Sequence, residues 1–382
     1  MSNKIYHLFK ASSYLLVKQM ISNFLHYTSN QHHFIIFLDS DEWKSKYELL
    51  FADLGCYGYE YISEADKVEQ SFLSMLKHPV IYRGGTEGCF SKAEKVLYSY
   101  LEHCSYPNLL IHGDYMFFGK GFYRALFLSK IKCKAWVCWG AIPARNKKSF
   151  YYRITYGYYR DMFFTSCRFI NTLLEGDQAD FRLLKFNKNI TLCPYIIDTP
   201  KIATTDKIKQ NTVLIGNSGL YVDSYESLLP RVKHKNIHFT FMMSYGCDEK
   251  QKEEFQKKAS SFLGSNFELW TENFAISEYL KKVSSFSIYI CNVERQTGLG
   301  AIQACLSLGI RCYLRGKNLE HFQFLGFRVH SVEELNEEKG WNNMFSNEYE
   351  KEITYNKKQW MKVFDPVLLG KQWNLLFRLL KN

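Results

Sequence analysis

Short apolar runs rich in β-branched and aromatic residues alternate with helix-period segments along almost the whole chain. Residues 4–9 (KIYHLF) predict a first strand, and a helical pattern follows near 12–27. Further strand-like runs lie at 33–38 (HFIIFL), 79–82 (PVIY), 108–112 (NLLIH), 134–138 (KAWVC) and 168–172 (RFINT). Helical segments near 43–53, 91–103, 119–131 and 146–164 separate them. This alternation is the signature of a parallel sheet covered by helices. The pattern then restarts. Residues 198–211 are polar, carry Pro200 and read as a linker. A second series follows at 212–216 (TVLIG), 236–243 (NIHFTFMM), 286–291 (FSIYIC) and 310–314 (IRCYL). The length of 382 residues exceeds what one core organises, so two α/β domains are expected, with a boundary near 200–210.

Composition narrows the partners. With 46% hydrophobic and 23% charged residues, the chain can bury substantial cores. The formal charge of +11 favours an anionic partner: a nucleotide diphosphate, an anionic membrane surface or nucleic acid. Nucleic acid is the least favoured, because no long run of one charge and no nucleic-acid-binding signature is present. The eleven cysteines form no CxxC pair and no zinc-like spacing, and Cys138, Cys291 and Cys305 sit in apolar segments. That usage fits a reducing cytoplasm. No stretch approaches the roughly 20 apolar residues of a membrane span, so any membrane contact is expected to be peripheral.

Four features carry candidate chemistry. The strand 213–215 runs into Gly216-Asn217-Ser218-Gly219, a small-residue turn whose amides are expected to face an anion. It is neither a P-loop nor a GxGxxG fingerprint, and an ordinary strand-to-helix turn remains the alternative. The strand 288–291 feeds Asn292-Val293-Glu294-Arg295-Gln296-Thr297-Gly298-Leu299-Gly300, which opens a helix capped by Thr297 in this reading. Such a helix start suits a diphosphate. Arg295 adds a charge-assisted bond, and Glu294 accepts from sugar or ribose hydroxyls. A surface loop with two solvated charges is the competing reading. In the first half, His112-Gly113-Asp114 closes a strand at the mouth of the sheet, where either side chain could take a proton from an acceptor hydroxyl. Trp139-Gly140 follows the next strand at the same mouth and could stack on a sugar. Finally, a basic aromatic tract from Lys120 to Tyr159, including Lys134, Lys147, Lys148 and Arg153, suits a membrane headgroup region or a solvated face. Residues 83–88 read as a glycine-rich loop, and 174–181 as a turn with helix capping.

The runs IGNSG and ERQTGLGAIQACLSLGIRCYL, with the HG at 112–113, resemble the TDP-N-acetylfucosamine:lipid II N-acetylfucosaminyltransferases, glycosyltransferase family 56. His7, Trp139-Gly140, Gly176-Asp177, Glu272-Asn273-Phe274, Glu278-Tyr279-Leu280 and Phe364-Asp365-Pro366 support the likeness in order along the chain. The resemblance implies a GT-B fold, two Rossmann-like domains facing across a cleft. On that reading 1–200 is the acceptor- and membrane-facing domain, 201–355 holds the nucleotide sugar, and 356–382 is a helix returning to the first domain. It implies transfer of 4-acetamido-4,6-dideoxy-galactose from a dTDP-sugar to an undecaprenyl-diphosphate-linked saccharide at the cytoplasmic face of the inner membrane, in enterobacterial common antigen or O-antigen synthesis. No metal or other cofactor is implied. Donor-binding residues are then Gly216, Asn217, Ser218, Gly219, Glu294, Arg295, Gln296, Thr297, Gly298 and Gly300, with His112, Asp114 and Arg295 as catalytic candidates. Another nucleotide sugar, or a non-catalytic binding protein of polysaccharide assembly, stays open. A nicotinamide enzyme is disfavoured, since no glycine fingerprint follows the first strand.

Overall fold

The computed structural model describes residues 4–11, 14–38, 42–56, 58–63, 108–113, 126, 131, 133–139, 158–183, 189–197, 211–232, 236–346 and 349–382. The expected strand at 79–82, the helix at 91–103, the loop at 83–88, Asp114, Gly140 and most of the 198–211 linker lie outside these residues. So does most of the basic tract. Two compact units emerge. The first comprises Met1–Ile197 with Pro366–Asn382, and the second Asp198–Asp365.

In the first unit, β1 (Lys4–Lys10), β2 (Gln31–Leu38), β3 (Tyr59–Ser63), β4 (Asn108–His112), β5 (Cys133–Val137), β6 (Phe169–Thr172) and β7 (Asn189–Leu192) form one sheet, in the order β3-β2-β1-β4-β5-β6-β7. Every pairing is parallel. The connecting helices include α1 (Tyr14–Tyr27), α2 (Glu42–Asp53), α3 (Tyr158–Ser166) and α4 (Glu175–Leu183). The second unit repeats the plan. Its strands β8 (Thr212–Ile215), β9 (His238–Met242), β10 (Phe267–Trp270), β11 (Ile288–Cys291), β12 (Arg311–Leu314) and β13 (His330–Ser331) run in the order β10-β9-β8-β11-β12-β13, again all parallel. The helices of this unit are α5 (Val222–Glu226), α6 (Glu249–Leu263), α7 (Ile276–Val283), α8 (Leu299–Leu308), α9 (Gly316–Phe324), α10 (Glu338–Asn343) and α11 (Tyr349–Val363).

The central strands are buried on both faces, which is why they stand out in the sequence as unbroken apolar runs. In both sheets strand order reverses beside the first strand, between β1 and β4 and between β8 and β11. Such a topological switch point is where open α/β sheets collect ligands, at the carboxyl ends of the strands.

The terminal segment divides at Asp365. Helix α11 stays with the second unit because Glu352 on it meets the buried Arg311 of β12 at 3.1 Å. Asn356 of α11 also closes both backbone groups of Arg328, at 2.9 and 2.8 Å. Only α12 (Pro366–Lys381) belongs to the first unit. There the Trp373 indole donates to the Pro194 carbonyl at 2.9 Å, and Lys381 reaches Asn30 at 2.6 Å. The returning helix therefore begins ten residues later than the expected 356.

Candidate functional site

At the switch point of the second unit, two turns leave the sheet side by side. The first follows β8. Gly216 adopts φ +73°, and a Cβ there would lie 2.1 Å from the Tyr225 hydroxyl, so only glycine fits. The expectation that the amides of this turn face an anion is not met. Gly216 N–H donates to the Ile290 carbonyl at 2.8 Å, and Gly219 N–H to that of Tyr245 at 2.8 Å. The Asn217 and Ser218 amides both donate to the Tyr225 hydroxyl at 3.1 Å. The phenol in turn donates to the Ser218 carbonyl, and burial raises its pKa, so it stays protonated. All four amides are occupied within the protein, and the turn acts as scaffold. The Asn217 side chain bridges to the second turn, donating to the Tyr245 hydroxyl at 3.3 Å and accepting from Thr297 Oγ1 at 3.3 Å.

The second turn, between β11 and α8, has the opposite character. Its base is fixed by Asn292, which donates to the Ser224 carbonyl and to Ser227 Oγ, each at 3.0 Å. The wholly buried Asn318 holds its far end, donating to the Thr297 carbonyl at 2.9 Å. Thr297 is not the helix cap. Gly298, with φ +61°, occupies that place and supplies no capping side chain. The Ile302 amide takes the Gly298 carbonyl at 2.9 Å. Among the described residues no acceptor meets the amides of Leu299, Gly300 and Ala301. These are the N–H groups through which a helix start binds an anion. Gly300 is exposed, and a Cβ on it would touch nothing within 4 Å. Gln296 is buried, with its Oε1 unpartnered among the described residues.

The two charges of this turn differ. Glu294 is paired through Oε1 with Arg315, which also meets Glu333 at 3.4 Å, and its side chain is largely exposed. Arg295 is exposed and has no carboxylate within ion-pair distance among the described residues. It donates instead to the hydroxyl of Tyr221, a residue that the sequence patterns did not single out.

The switch point of the first unit is filled. Trp139 Nε1 meets the Tyr195 hydroxyl at 2.6 Å, and that hydroxyl meets His112 Nδ1 at 2.7 Å. His112 Nε2 lies 3.0 Å from His7 Nδ1, and His7 Nε2 lies 2.8 Å from His32 Nδ1. His32 Nε2 then meets Thr28 Oγ1 at 2.6 Å, and Thr28 donates to the Phe24 carbonyl at 2.7 Å. Both ends fix the direction of this chain, since an indole N–H only donates and a carbonyl only accepts. The one Thr28 proton goes to Phe24, so His32 Nε2 must carry a hydrogen. Its bare Nδ1 then accepts from His7 Nε2–H, and the same logic runs to His112 and the Tyr195 O–H. All three histidines are thus neutral Nε2–H tautomers. Burial accordingly pushes His7 and His112 well below the ordinary histidine pKa, and His32 down to about 3.

His112 is therefore not an available base. It is 0% exposed and both its ring nitrogens are engaged. Asp114 lies outside the described residues. In the basic tract, Lys134 is buried and donates to the Leu126 carbonyl at 2.7 Å, so it faces the core and no membrane. Lys147, Lys148 and Arg153 lie outside the described residues. No described helix is long and apolar enough to cross a membrane, and no cluster of three His, Cys, Asp or Glu suited to a metal occurs among the described residues.

The sequence pattern of the family described as 4-alpha-L-fucosyltransferase, glycosyl transferase group 56, matches residues 91–378. No curated protein matches the chain in sequence. Several solved structures resemble it over nearly their whole length. The N-terminal domain of trehalose-6-phosphate phosphatase from Candida albicans is 12% identical with a TM-score of 0.68, covering 100% of this chain and 97% of that one. A glycosyltransferase from Rickettsia africae is 10% identical with a TM-score of 0.65, covering 100% and 99%. A mutant of TarM from S. aureus, solved with fondaparinux, alpha-GlcNAc-glycerol and UDP, is 10% identical with a TM-score of 0.63, covering 98% and 99%. At such identities the likeness establishes the fold, which is GT-B: two Rossmann-like units in one chain.

Proposed function

From the premise that the chain belongs to glycosyl transferase group 56 and is a glycosyltransferase, we propose that it takes a deoxy-amino sugar from a dTDP-linked donor. The acceptor in this reading is an undecaprenyl-diphosphate-linked saccharide at the cytoplasmic face of the inner membrane, where the protein docks peripherally. The sugar suggested by the sequence likeness is 4-acetamido-4,6-dideoxy-galactose, for a bacterial surface polysaccharide. The observation that carries the donor half is the start of α8. Three amides and an arginine that, among the described residues, have no acceptor and no carboxylate partner respectively meet an open glycine at one switch point. Charge develops on the departing diphosphate in the transition state, and preorganised amides with a guanidinium stabilise it there. Those groups take the task that a metal ion serves elsewhere, so transfer is expected to be metal-independent.

A donor panel of dTDP-, UDP- and GDP-sugars incubated with bacterial membrane lipid extract tests this, with the lipid-linked product read by mass spectrometry. A mass increment of one deoxy-amino sugar from the dTDP donor, undiminished by excess EDTA, is the expected result. Transfer from a UDP- or GDP-sugar alone would replace the donor assignment. Activity lost in EDTA and restored by magnesium would overturn the metal-independent mechanism.

A further inference from the structure

Arg295 carries five N–H donors in a rigid plane. Two of them sit on one atom, the Tyr221 hydroxyl oxygen, with Nε at 3.0 Å and Nη2 at 2.7 Å. The guanidinium carbon stands 5.3 Å from the Tyr221 ring centroid. Tyr221 closes the short 3-10 turn Gly219–Tyr221 that follows the saturated glycine turn, so its backbone is anchored by the scaffold just described. One side edge of the guanidinium is therefore held. The remaining three N–H groups, among them the parallel Nη1–H and Nη2–H of the end-on edge, have no acceptor among the described residues. Two parallel N–H groups on that edge are the fork that recognises phosphate oxygens in pairs.

The choice of partner matters chemically. Glu294 precedes Arg295 in sequence and would be the natural competitor for its charge, but Arg315 engages it. A phenol is neutral: it orients the guanidinium without cancelling its charge. An exposed arginine with no such hold loses rotamer freedom on binding an anion, and fixing it beforehand lowers that cost.

We propose that Tyr221 is a positioning residue for donor binding, presenting the end-on fork of Arg295 to the donor diphosphate. This rests on the donor reading above, and Tyr221 acts through Arg295 alone.

The test is calorimetric titration of TDP into the full-length wild type, Tyr221→Phe, Arg295→Ala and the double variant, with thermal melting of each. Arg295→Ala is expected to weaken TDP about tenfold or more, as loss of a charge-assisted pair does. Tyr221→Phe, which keeps the ring, should weaken it about fivefold in the wild type, yet change nothing beyond about twofold in the Arg295→Ala background. Arg295→Lys keeps the charge without the fork and should likewise be insensitive to Tyr221→Phe. Turnover with varied substrates should show the Tyr221→Phe effect in the donor KM and not in the acceptor KM. If Tyr221→Phe leaves TDP affinity within about twofold, or its effect adds fully to that of Arg295→Ala, the positioning role is overturned while the donor site stands. If the wild type binds neither TDP nor UDP, the donor reading itself fails and the proposal falls with it.

Discussion

The two units share a strand plan, yet their switch points are opposites. Between β1 and β4 every polar group of the histidine chain has its partner, from the Trp139 indole to the Phe24 carbonyl. Between β8 and β11 the first turn is equally closed, but the second leaves three amides and one arginine edge unanswered among the described residues. Buried polar groups are almost always satisfied in native proteins, so a saturated network reads as structure. Donors left open at a strand's carboxyl end read as a place for a ligand. Under the proposed function the ligand chemistry belongs at 295–301, whereas His112 has both ring nitrogens engaged.

The sharpest way to break the comparison is to make one substitution at two glycines. Gly216→Val drives a side chain into the Tyr225 ring at a positive φ, and is expected to destabilise the second unit by several kcal/mol, with loss of soluble protein. Gly300→Val enters open space. It should leave the melting temperature nearly unchanged while weakening TDP by about 100-fold or more, roughly 2.7 kcal/mol. Calorimetric titration and thermal melting of both variants decide it. A folded Gly300→Val protein with undiminished TDP affinity would remove α8 from the donor site.

A smaller effect, on stability alone, is expected from the closed side. His7→Phe strands the His112 Nε2–H and the His32 Nδ1 without partners, at a cost of roughly 2–4 kcal/mol, with TDP affinity unchanged. The chain also makes stability acid-sensitive. The folded histidines are held neutral by depressed pKa values, whereas unfolded ones bind protons near pH 6.5. The unfolded state therefore gains protons first, and stability is lost as pH falls below about 6.5, a window extending for His32 to about 3. Urea unfolding between pH 7 and 5 should show a steeper decline for the wild type than for His7→Phe. Equal slopes would mean that the histidines are not held neutral by the chain.

The smallest change is expected at Glu294. Its carboxylate faces Arg315 in a largely exposed pair, and such pairs contribute about 0–1 kcal/mol. Glu294→Gln should alter the donor KM by less than about twofold. A tenfold rise in steady-state assays would return Glu294 to the ligand and make the second turn more open than its hydrogen bonds suggest.

The alternating pattern of apolar runs determined the α/β class, the restart after the linker, and the two loops that leave β8 and β11. Burial on both faces imprints a central strand on the sequence. The four strands that the pattern did not reveal, β3, β7, β10 and β13, are the four edges of the two sheets. Their residues are partly exposed, as in NITL and FELW, so the apolar signal weakens there. The local sequence could also mark Gly216 and Gly300 as turn residues. Only tertiary structure decided that one packs against Tyr225 and the other opens to solvent. The sequence marked His112 as a candidate base and His7 only through the family likeness, left His32 unremarked, and parallel register alone brought the three into one chain. Whether an amide, an imidazole or a guanidinium is available to a ligand depends on partners outside its own turn. Tyr225 occupies the first turn and Tyr221 holds Arg295 across 74 residues, and neither contact has a local signature.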